Sequence, residues 1–251
     1  MKKEPLVLVA APVWEGHKYC IKRYLDRVKN LSYHNYKVLL VDNSKGKKFF
    51  RYLVAQKFIK VLKSPFTDNP IERIALARNY IVDYLLTHPE YKYLMSIDTD
   101  TIIPRNGIEK LLKHKKDLVG FLCHMGFKNK QPAVLKTGHI LHNGRFGLNH
   151  YSWEEIRKMK SLQKVYGTSI GCLLIHRKVF EDGVKFRYTP AIHIGEDLWF
   201  YGEVAQHGFN MYLDKTVRVL HLNRDRRGRI KDVKKAVRKW RRKNRCRALR
   251  I

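Results

Sequence analysis

The segment at residues 93–104 constrains the fold most, because an apolar run there ends abruptly in two carboxylates one residue apart. Residues 93–97 predict a buried strand, and Asp98 and Asp100 follow where that strand leaves its sheet. Ligands of open α/β sheets bind at the carboxyl ends of the strands. Two acids at positions i and i+2 can also present oxygens to one divalent cation, which in turn holds phosphates. Taken alone, the triplet favours a simpler interpretation, an aspartate that caps a helix after Pro104, so the rest of the chain must decide.

Length and composition allow one α/β domain or two small ones, since 251 residues with 44% hydrophobic content can bury a substantial core. No apolar run is long enough to span a bilayer. The apolar run near the N-terminus predicts a first strand rather than a signal peptide. The cysteines, Cys20, Cys123, Cys172 and Cys246, lack the paired spacing of a zinc site or a disulfide framework. This pattern favours a reducing, cytoplasmic setting.

The charge is strongly positive, with 52 lysines and arginines against 22 acids, a net of +30. Residues 224–251 hold 15 of the basic residues and 2 of the acids, which leaves the rest of the chain basic as well. Such a field attracts nucleic acid, anionic lipid or phosphorylated substrates without choosing among them.

The basic tail has an apolar stripe at helical spacing, formed by Ile230, Val233, Val237 and Trp240. The stripe predicts a basic amphipathic helix. Such a helix lies on an anionic membrane surface or docks its stripe on the preceding domain, and composition does not separate the two. Nucleic acid is a third partner that the charge permits.

The N-terminal part predicts a parallel βαβ arrangement. Residues 6–11 and 36–41 are short aliphatic runs, and apolar residues at helical spacing follow His17 between them. Near-continuous apolar strands in this order are typical of parallel sheets that are buried on both faces. Residues 57–62 predict a third strand.

Polar and aromatic residues close the first two predicted strands. Asp42, Asn43 and Ser44 follow the second strand, where an acid commonly faces a nucleoside. A turn-forming Asp-Asn-Ser fits this position equally well. Pro12 and Trp14 follow the first strand, and Trp14 either stacks on a base or covers the sheet edge.

Arg78 lies on the apolar stripe of a predicted helix that begins at Asn69 and Pro70. An unpaired internal charge is costly, so a buried arginine needs a partner. The sequence therefore predicts that Arg78 reaches a carboxylate at the strand ends, for which Asp98 is a candidate, or a ligand phosphate.

The middle of the chain is less regular. A helix is predicted at residues 104–115, a strand at 118–122 and a further short helix at 177–181. Residues 123–165 contain one predicted strand at 136–141, and we interpret them as the variable part that covers an acceptor site. Gly167 and Gly171 then bracket small polar residues before another strand, which suits either close approach to a ligand or a plain turn.

A second acidic pair, Glu196 and Asp197, opens a helix after Gly195. Acids at a helix N-terminus usually cap it, and the same dipole keeps a carboxylate ionised, as a general base requires. Short strands are predicted at 210–213 and 217–220, and the second delivers His221. A lone histidine there is usually structural, yet a neutral imidazole also suits a divalent metal.

The ordered set of motifs resembles the GT-A-fold glycosyltransferases, and among them the family-two-type members that use nucleotide sugars. The motifs are Pro12, Asp42-Asn43-Ser44, Ala77-Arg78-Asn79, Asp98-Thr99-Asp100, Gly171, Glu196-Asp197 and His221. The resemblance covers roughly residues 5–222. It implies an α/β domain at residues 1–223, with a mostly parallel central sheet flanked by helices, followed by the basic tail at 224–251. Residues 123–165 match no part of the family pattern.

The resemblance also assigns roles. By this resemblance, Asp42 contacts the nucleobase, and Asp98 contacts the ribose and the metal. Asp100 and His221 bind the Mn²⁺ or Mg²⁺ ion. In inverting members the aspartate of the acid pair is the base, which here is Asp197. In a retaining enzyme Asp197 would bind the acceptor instead. The nucleotide-sugar set is Pro12, Trp14, Asp42, Asn43, Arg78 and Asp98, and the acceptor set is Gly171, Glu196 and Trp199.

Three classes of function follow. The leading one is a metal-dependent hexosyltransferase that uses a UDP- or GDP-sugar and a glycan or lipid-linked acceptor, in the cytoplasm or at the inner face of the membrane. The alternatives are a nucleotidyltransferase and a non-catalytic nucleic-acid-binding protein. The first is favoured because it accounts for Glu196, Asp197 and His221, and because no P-loop is present.

Overall fold

The computed structural model describes residues 4–123, 131–140, 146–190 and 194–222. Its strands are β1 (Leu6–Val13), β2 (Tyr36–Asp42), β3 (Lys60–Lys63), β4 (Tyr91–Ile97), β5 (Thr101–Ile102), β6 (Leu118–Leu122), β7 (Val134–Ile140), β8 (Phe146–His150), β9 (Leu162–Val165), β10 (Gly167–Thr168), β11 (Cys172–His176), β12 (Met211–Arg218) and β13 (Leu220–His221). Its helices are α1 (Ile21–Lys29), α2 (Lys48–Val54), α3 (Pro70–Thr87), α4 (Gly107–Leu112), α5 (Trp153–Lys158), α6 (Lys178–Glu181) and α7 (Glu196–Gln206). The tail at 224–251 and its predicted helix lie outside the described residues.

The largest sheet in these ranges has the strand order β3-β2-β1-β4-β11-β6-β12-β9. Six strands share one direction, while β11 and β9 run antiparallel to their neighbours. The mostly parallel α/β sheet that the sequence predicts is confirmed. Because β1 pairs in parallel with both β2 and β4, the carboxyl ends of these three strands meet at one edge.

Helices cover both faces of the sheet, which explains why its central strands β1, β4, β11 and β6 are mostly apolar. Leu8 of β1 shares one buried cluster with Ile81 of α3. Val9, which points the opposite way, shares a second cluster with Tyr24 of α1 and Leu53 of α2. Alternate residues of one strand therefore support the two helical layers. None of the helices within the described ranges has the length and hydropathy that crossing a bilayer requires.

The N-terminus of α3 confirms the predicted start signal. Asn69 is the N-cap, and its Oδ1 accepts hydrogen bonds from the backbone N–H groups of Ile71 at 2.9 Å and Glu72 at 3.2 Å. Pro70 takes the first helical position, where a missing N–H carries no penalty. The cap therefore sets where the helix that carries Arg78 begins.

Several predicted boundaries are corrected. The first helix begins at Ile21, because residues 15–19 form a 3₁₀ turn. The helix predicted at 104–115 is limited to α4, and Lys115 after it adopts a left-handed φ of 51°, which helices do not continue through. The strands predicted at 210–213 and 217–220 are instead the single strand β12, irregular after Asp214, and the short strand β13.

The short strands β5 and β13 form a two-stranded antiparallel ribbon at the same edge of the sheet. His221 pairs with Thr101 in this ribbon, and the N–H of Leu222 donates to the carbonyl of Asp100 at 2.6 Å. Backbone hydrogen bonding, rather than chance side-chain contact, thus brings His221 beside Asp100 across 121 positions of sequence.

Candidate active site

The carboxyl ends of β1, β2 and β4 border a cavity of about 300 Å³. Seven of the residues that the sequence assigns to a site line it: Pro12, Trp14, Asn43, Arg78, Asp98, Asp100 and His221. The other five, Asp42, Gly171, Glu196, Asp197 and Trp199, do not line it. A larger cavity of about 510 Å³ lies beside the C-terminal half of α7 and is lined by none of these twelve residues.

Arg78 is buried and joins the two acidic motifs. Its Nη2 lies 3.1 Å from Asp98 Oδ1, and its Nε lies 3.1 Å from Glu196 Oε1. A third donor, Nη1, lies 3.4 Å from Ser96 Oγ. Burial by itself lowers the pKa of Arg78, but the two carboxylates outweigh it and raise that pKa. The predicted carboxylate partner is therefore confirmed, and Glu196 is a second partner that the sequence did not indicate.

Asp100 and His221 contact each other directly, with Oδ2 and Nε2 3.1 Å apart. Burial alone lowers the pKa of His221, yet the hydrogen bond and charge of Asp100 raise it to about 9. Burial alone raises the pKa of Asp100, yet His221 outweighs it and lowers that pKa. The pair is an ionised carboxylate with a protonated imidazole.

This pair fits two ligand positions of a divalent cation. A carboxylate oxygen and a neutral imidazole nitrogen both suit a divalent cation. Asp100 Oδ2 and His221 Nε2 lie 3.1 Å apart, so the two residues would be able to hold one ion together once the imidazole loses its proton. Within the described ranges no group of three or more His, Cys, Asp or Glu residues is placed to hold a metal. Oxygens from a ligand would have to supply the remaining positions.

Asp42 and Asn43 differ in what they face. Asp42 is fully buried, and its Oδ1 accepts hydrogen bonds from the backbone N–H and the hydroxyl of Ser44 at 3.1 and 2.6 Å. Its Oδ2 lies 2.9 Å from Lys63 Nζ. Asn43 lines the cavity, and its buried Oδ1 has no hydrogen-bond partner among the described residues. The predicted turn role of the Asp-Asn-Ser motif is thus present at Asp42, while Asn43 is the member of the motif that lines the cavity.

Gly171 makes room for Asp98. A Cβ atom at Gly171 would lie 2.5 Å from Asp98 Oδ2 and 2.8 Å from its Cγ. The backbone N–H of Asp98 also donates to the Gly171 carbonyl at 3.1 Å. The glycine therefore acts through the carboxylate that Arg78 holds, and not by lining the cavity.

We expect Gly171→Ala to displace the Asp98 carboxylate from Arg78 and to destabilise the fold by about 1–3 kcal/mol, since the added methyl would clash with that carboxylate. Thermal unfolding measures the change. Gly46→Ala is the matched control, because nothing lies within 4 Å of a Cβ built there. Equal melting temperatures for the two variants would contradict this account of Gly171.

Asp197 lies in the first turn of α7, where its Oδ1 accepts a hydrogen bond from the N–H of Leu198 at 2.9 Å. Burial, together with the charge of Glu196, raises the pKa of Asp197 to about 6. The backbone hydrogen bond at the helix N-terminus favours the ionised carboxylate, as the sequence predicts, and burial opposes it, so the pKa is raised while the group still ionises below neutral pH. Trp199, two residues on, has a buried indole Nε1 without a hydrogen-bond partner among the described residues.

Two ionisable residues of the cavity, His17 and Arg73, were not among the site residues predicted from the sequence. His17 Nδ1 lies 2.6 Å from the hydroxyl of Thr99, the residue between the two acids, and His17 lowers the pKa of Asp100. The guanidinium of Arg73 lies 5.7 Å from the ring of Trp14 and 4.9 Å from the ring of Phe66. The available signals were the position of His17 just after a strand's carboxyl end and of Arg73 in the first turns of the helix that carries Arg78.

The fold has clear relatives among solved structures. The chain is similar to GalNAc-T7 crystallised with UDP, GalNAc and Mn²⁺, with 15% identity, a TM-score of 0.63, and coverage of 90% of this chain and 45% of that one. It is similar to S. aureus TarS, with 15% identity, a TM-score of 0.55, and coverage of 85% and 36%. TarS 1-349 in complex with UDP-GlcNAc gives 14% identity, a TM-score of 0.52, and coverage of 84% and 55%.

These comparisons define the fold class. The chain has the GT-A fold, as the sequence motifs predict, and it spans between 36% and 55% of the length of these solved chains. No protein-family model matches the sequence, and no curated protein matches it significantly. At 14–15% identity the likeness establishes the architecture, and the activity must be argued from the site.

Proposed function

We propose that the chain is a glycosyltransferase that moves a sugar from a nucleotide-sugar donor to a hydroxyl acceptor with a divalent metal ion. The observation that supports this most is the convergence of Asp98, Asp100 and His221 on one cavity at the carboxyl edge of a GT-A sheet. That edge is where open α/β sheets bind nucleotides. A similar structure holds UDP and Mn²⁺, and another holds UDP-GlcNAc, which supports a nucleotide-sugar donor here.

In the proposed donor site, Asn43 contacts the base where it lines the cavity. Trp14 offers a ring that is 42% exposed at the cavity rim for stacking. Asp42, with both oxygens bonded within the protein, shapes the turn that presents Asn43. Arg78 holds Asp98 so that its carboxylate faces a ribose hydroxyl.

Asp100 and His221 would hold Mn²⁺ or Mg²⁺. When bound, the ion neutralises negative charge that builds on the departing diphosphate. The His221 imidazole gives up its proton to become a ligand, and Asp100 remains ionised in both states. His17 keeps Thr99 in place between the two acids.

Asp197 is the proposed base of an inverting reaction. Its Oδ2 takes the proton of the acceptor hydroxyl, because Oδ1 already accepts from Leu198 N–H. A pKa of about 6 suits a base that works near neutral pH. Glu196 is held by Arg78, so the acid pair divides into a fixed member and a base. Trp199 and the residues at 123–165 are the proposed acceptor side.

The donor site is tested by thermal unfolding with UDP-, GDP- and TDP-sugars, with and without Mn²⁺. A ligand that binds only the folded state raises its melting temperature. We expect one nucleotide class to raise it by about 5 °C in the presence of Mn²⁺. Asp100→Ala should abolish that shift, because it removes a metal ligand.

Asp83→Ala is the control for this experiment, since Asp83 is an exposed aspartate of α3 outside the cavity. It should retain the full nucleotide shift. A shift that survives in Asp100→Ala, or that needs no metal, would remove the role proposed for the Asp100–His221 pair. Absence of any shift in well-folded protein would remove the proposed donor site.

A further inference from the structure

The surface around α2 is unusually basic. Residues 43–67 contain seven lysines and arginines and no aspartate or glutamate. The segment includes β3, the edge strand of the central sheet, so it forms an outer flank of that sheet. We define the α2 surface by its exposed members: Lys47, Lys48, Arg51, Tyr52, Val54, Lys57 and Phe58.

The cations of this surface are not neutralised by neighbouring acids. Within the part of the chain that the structure describes, Lys47, Lys48, Arg51 and Lys57 form no ion pair. Lys63, by contrast, is turned inward to Asp42 at 2.9 Å. The α2 surface therefore keeps its charge available for an external anion.

Large apolar side chains stand among these cations. Tyr52 is 44% exposed, Val54 49% and Phe58 40%. They are three of the seven large hydrophobic residues that are exposed in the described ranges, and they fall within seven positions of sequence. The ring of Tyr52 stacks on that of buried Phe49 at 6.0 Å, so it is supported from below but not covered. Exposed apolar side chains concentrated in one short segment mark an interaction site more often than scattered ones do.

We propose that the α2 surface docks on an anionic phospholipid bilayer. Aromatic rings favour the interface between water and acyl chains, and lysines beside them reach the phosphate headgroups. Six of the seven cations at 43–67 are lysines, whereas nucleic-acid readout favours the bidentate fork of arginine. Val54 is aliphatic and half exposed, so it can insert at the boundary of the acyl chains, whereas it has no favourable contact to make with a phosphate backbone.

The α2 surface is connected to the rim of the cavity. Lys45, just before α2, has its Nζ 5.6 Å from the Phe66 ring, and Phe66 lies under the guanidinium of Arg73, which lines the cavity. Docking would therefore hold the cavity rim close to the lipid surface. The docking itself is independent of the proposed function and would persist in a protein without transferase activity.

A fluorescent probe on the surface tests the proposal. The Val54→Cys variant, in a Cys246→Ser full-length background, is labelled with the environment-sensitive dye NBD; Cys20, Cys123 and Cys172 are buried. Vesicles of 30% phosphatidylglycerol in phosphatidylcholine should shift the emission to the blue and raise its intensity. Lys185→Cys, on an exposed loop that packs on α3 through Phe186, is the matched control and should not respond.

Vesicle binding with an unchanged emission at position 54 would overturn the proposal, because another part of the chain, such as the basic tail, would then make the membrane contact. A response to single-stranded RNA but not to vesicles would also overturn it, in favour of nucleic acid. In co-sedimentation, Lys47→Gln/Lys48→Gln should lower partition to anionic vesicles about tenfold or more. Lys92→Gln/Lys185→Gln, with the same charge change elsewhere, should lower it less than threefold.

Discussion

Asp197→Asn is expected to lower turnover by 10²- to 10⁴-fold, the range that general-base catalysis contributes, while leaving the protein folded. The reason is that the variant keeps the shape of the side chain and its Oδ1 acceptor for Leu198 N–H but cannot take a proton. The effect is measured as turnover with the nucleotide-sugar that raises the melting temperature and with an acceptor that supports transfer. Asp83→Asn, an exposed change on α3, should keep full activity.

The same substitution should not destabilise the fold at neutral pH. The pKa of Asp197 is raised from 3.8 to about 6, so the folded state disfavours the ionised carboxylate. Stability from this group is full below the unfolded pKa and is lost as pH rises through about 6. At pH 7.5 the wild type carries that penalty and the asparagine variant does not. The melting temperature of Asp197→Asn should therefore equal or exceed that of the wild type at pH 7.5.

The pH dependence of turnover follows from the same carboxylate. A base must be ionised, so wild-type turnover should rise with pH through an apparent pKa of about 6 and reach a plateau above it. Turnover in Asp197→Asn within tenfold of the wild type would exclude Asp197 as the base. Such a result would favour a retaining reaction in which this residue only binds the acceptor.

Much of the fold could be predicted because the signals are local. Aliphatic runs at 6–11, 36–41 and 93–97 predict strands directly, and the Asn69-Pro70 pair fixes the start of α3. The position of β11 between β4 and β6, and its antiparallel direction, could not be predicted from such local signals. Its apolar sequence fits a buried strand of either direction, and only pairing between distant segments decides.

The acidic residues of the candidate site could be predicted from the sequence, but the groups that pair with them could be predicted only in part. Arg78 had to have a partner because of its place on an apolar stripe, yet the second partner, Glu196, lies 118 residues away. Asp42 has the sequence signature of a nucleobase contact, but Lys63 and Ser44 already bond its oxygens. Sequence spacing cannot show whether a neighbouring strand supplies a cation.

Removal of the Arg78 side chain should have the largest effect on stability. Arg78→Met keeps much of the volume but leaves Asp98 and Glu196 without their shared cation in a buried site. Breaking a buried ion pair by removing one partner typically costs about 3–5 kcal/mol. For a chain of this size we expect a fall in melting temperature of about 6–20 °C. Urea and thermal unfolding measure it.

Two further variants separate charge from packing. Arg78→Met/Glu196→Gln removes one of the two stranded carboxylates, so it should recover part of the lost stability without recovering donor binding, because Asp98 still lacks its support. Arg23→Met, an exposed arginine of α1, should change stability by less than about 0.5 kcal/mol. If Arg78→Met were as stable as Arg23→Met, the bridge between the two acidic motifs would not hold the site together. Comparison of Arg78→Met with the double variant separates a loss of folding stability from a loss of donor binding. Stability should recover in part in the double variant, whereas donor binding should not, because donor binding depends on the orientation of Asp98.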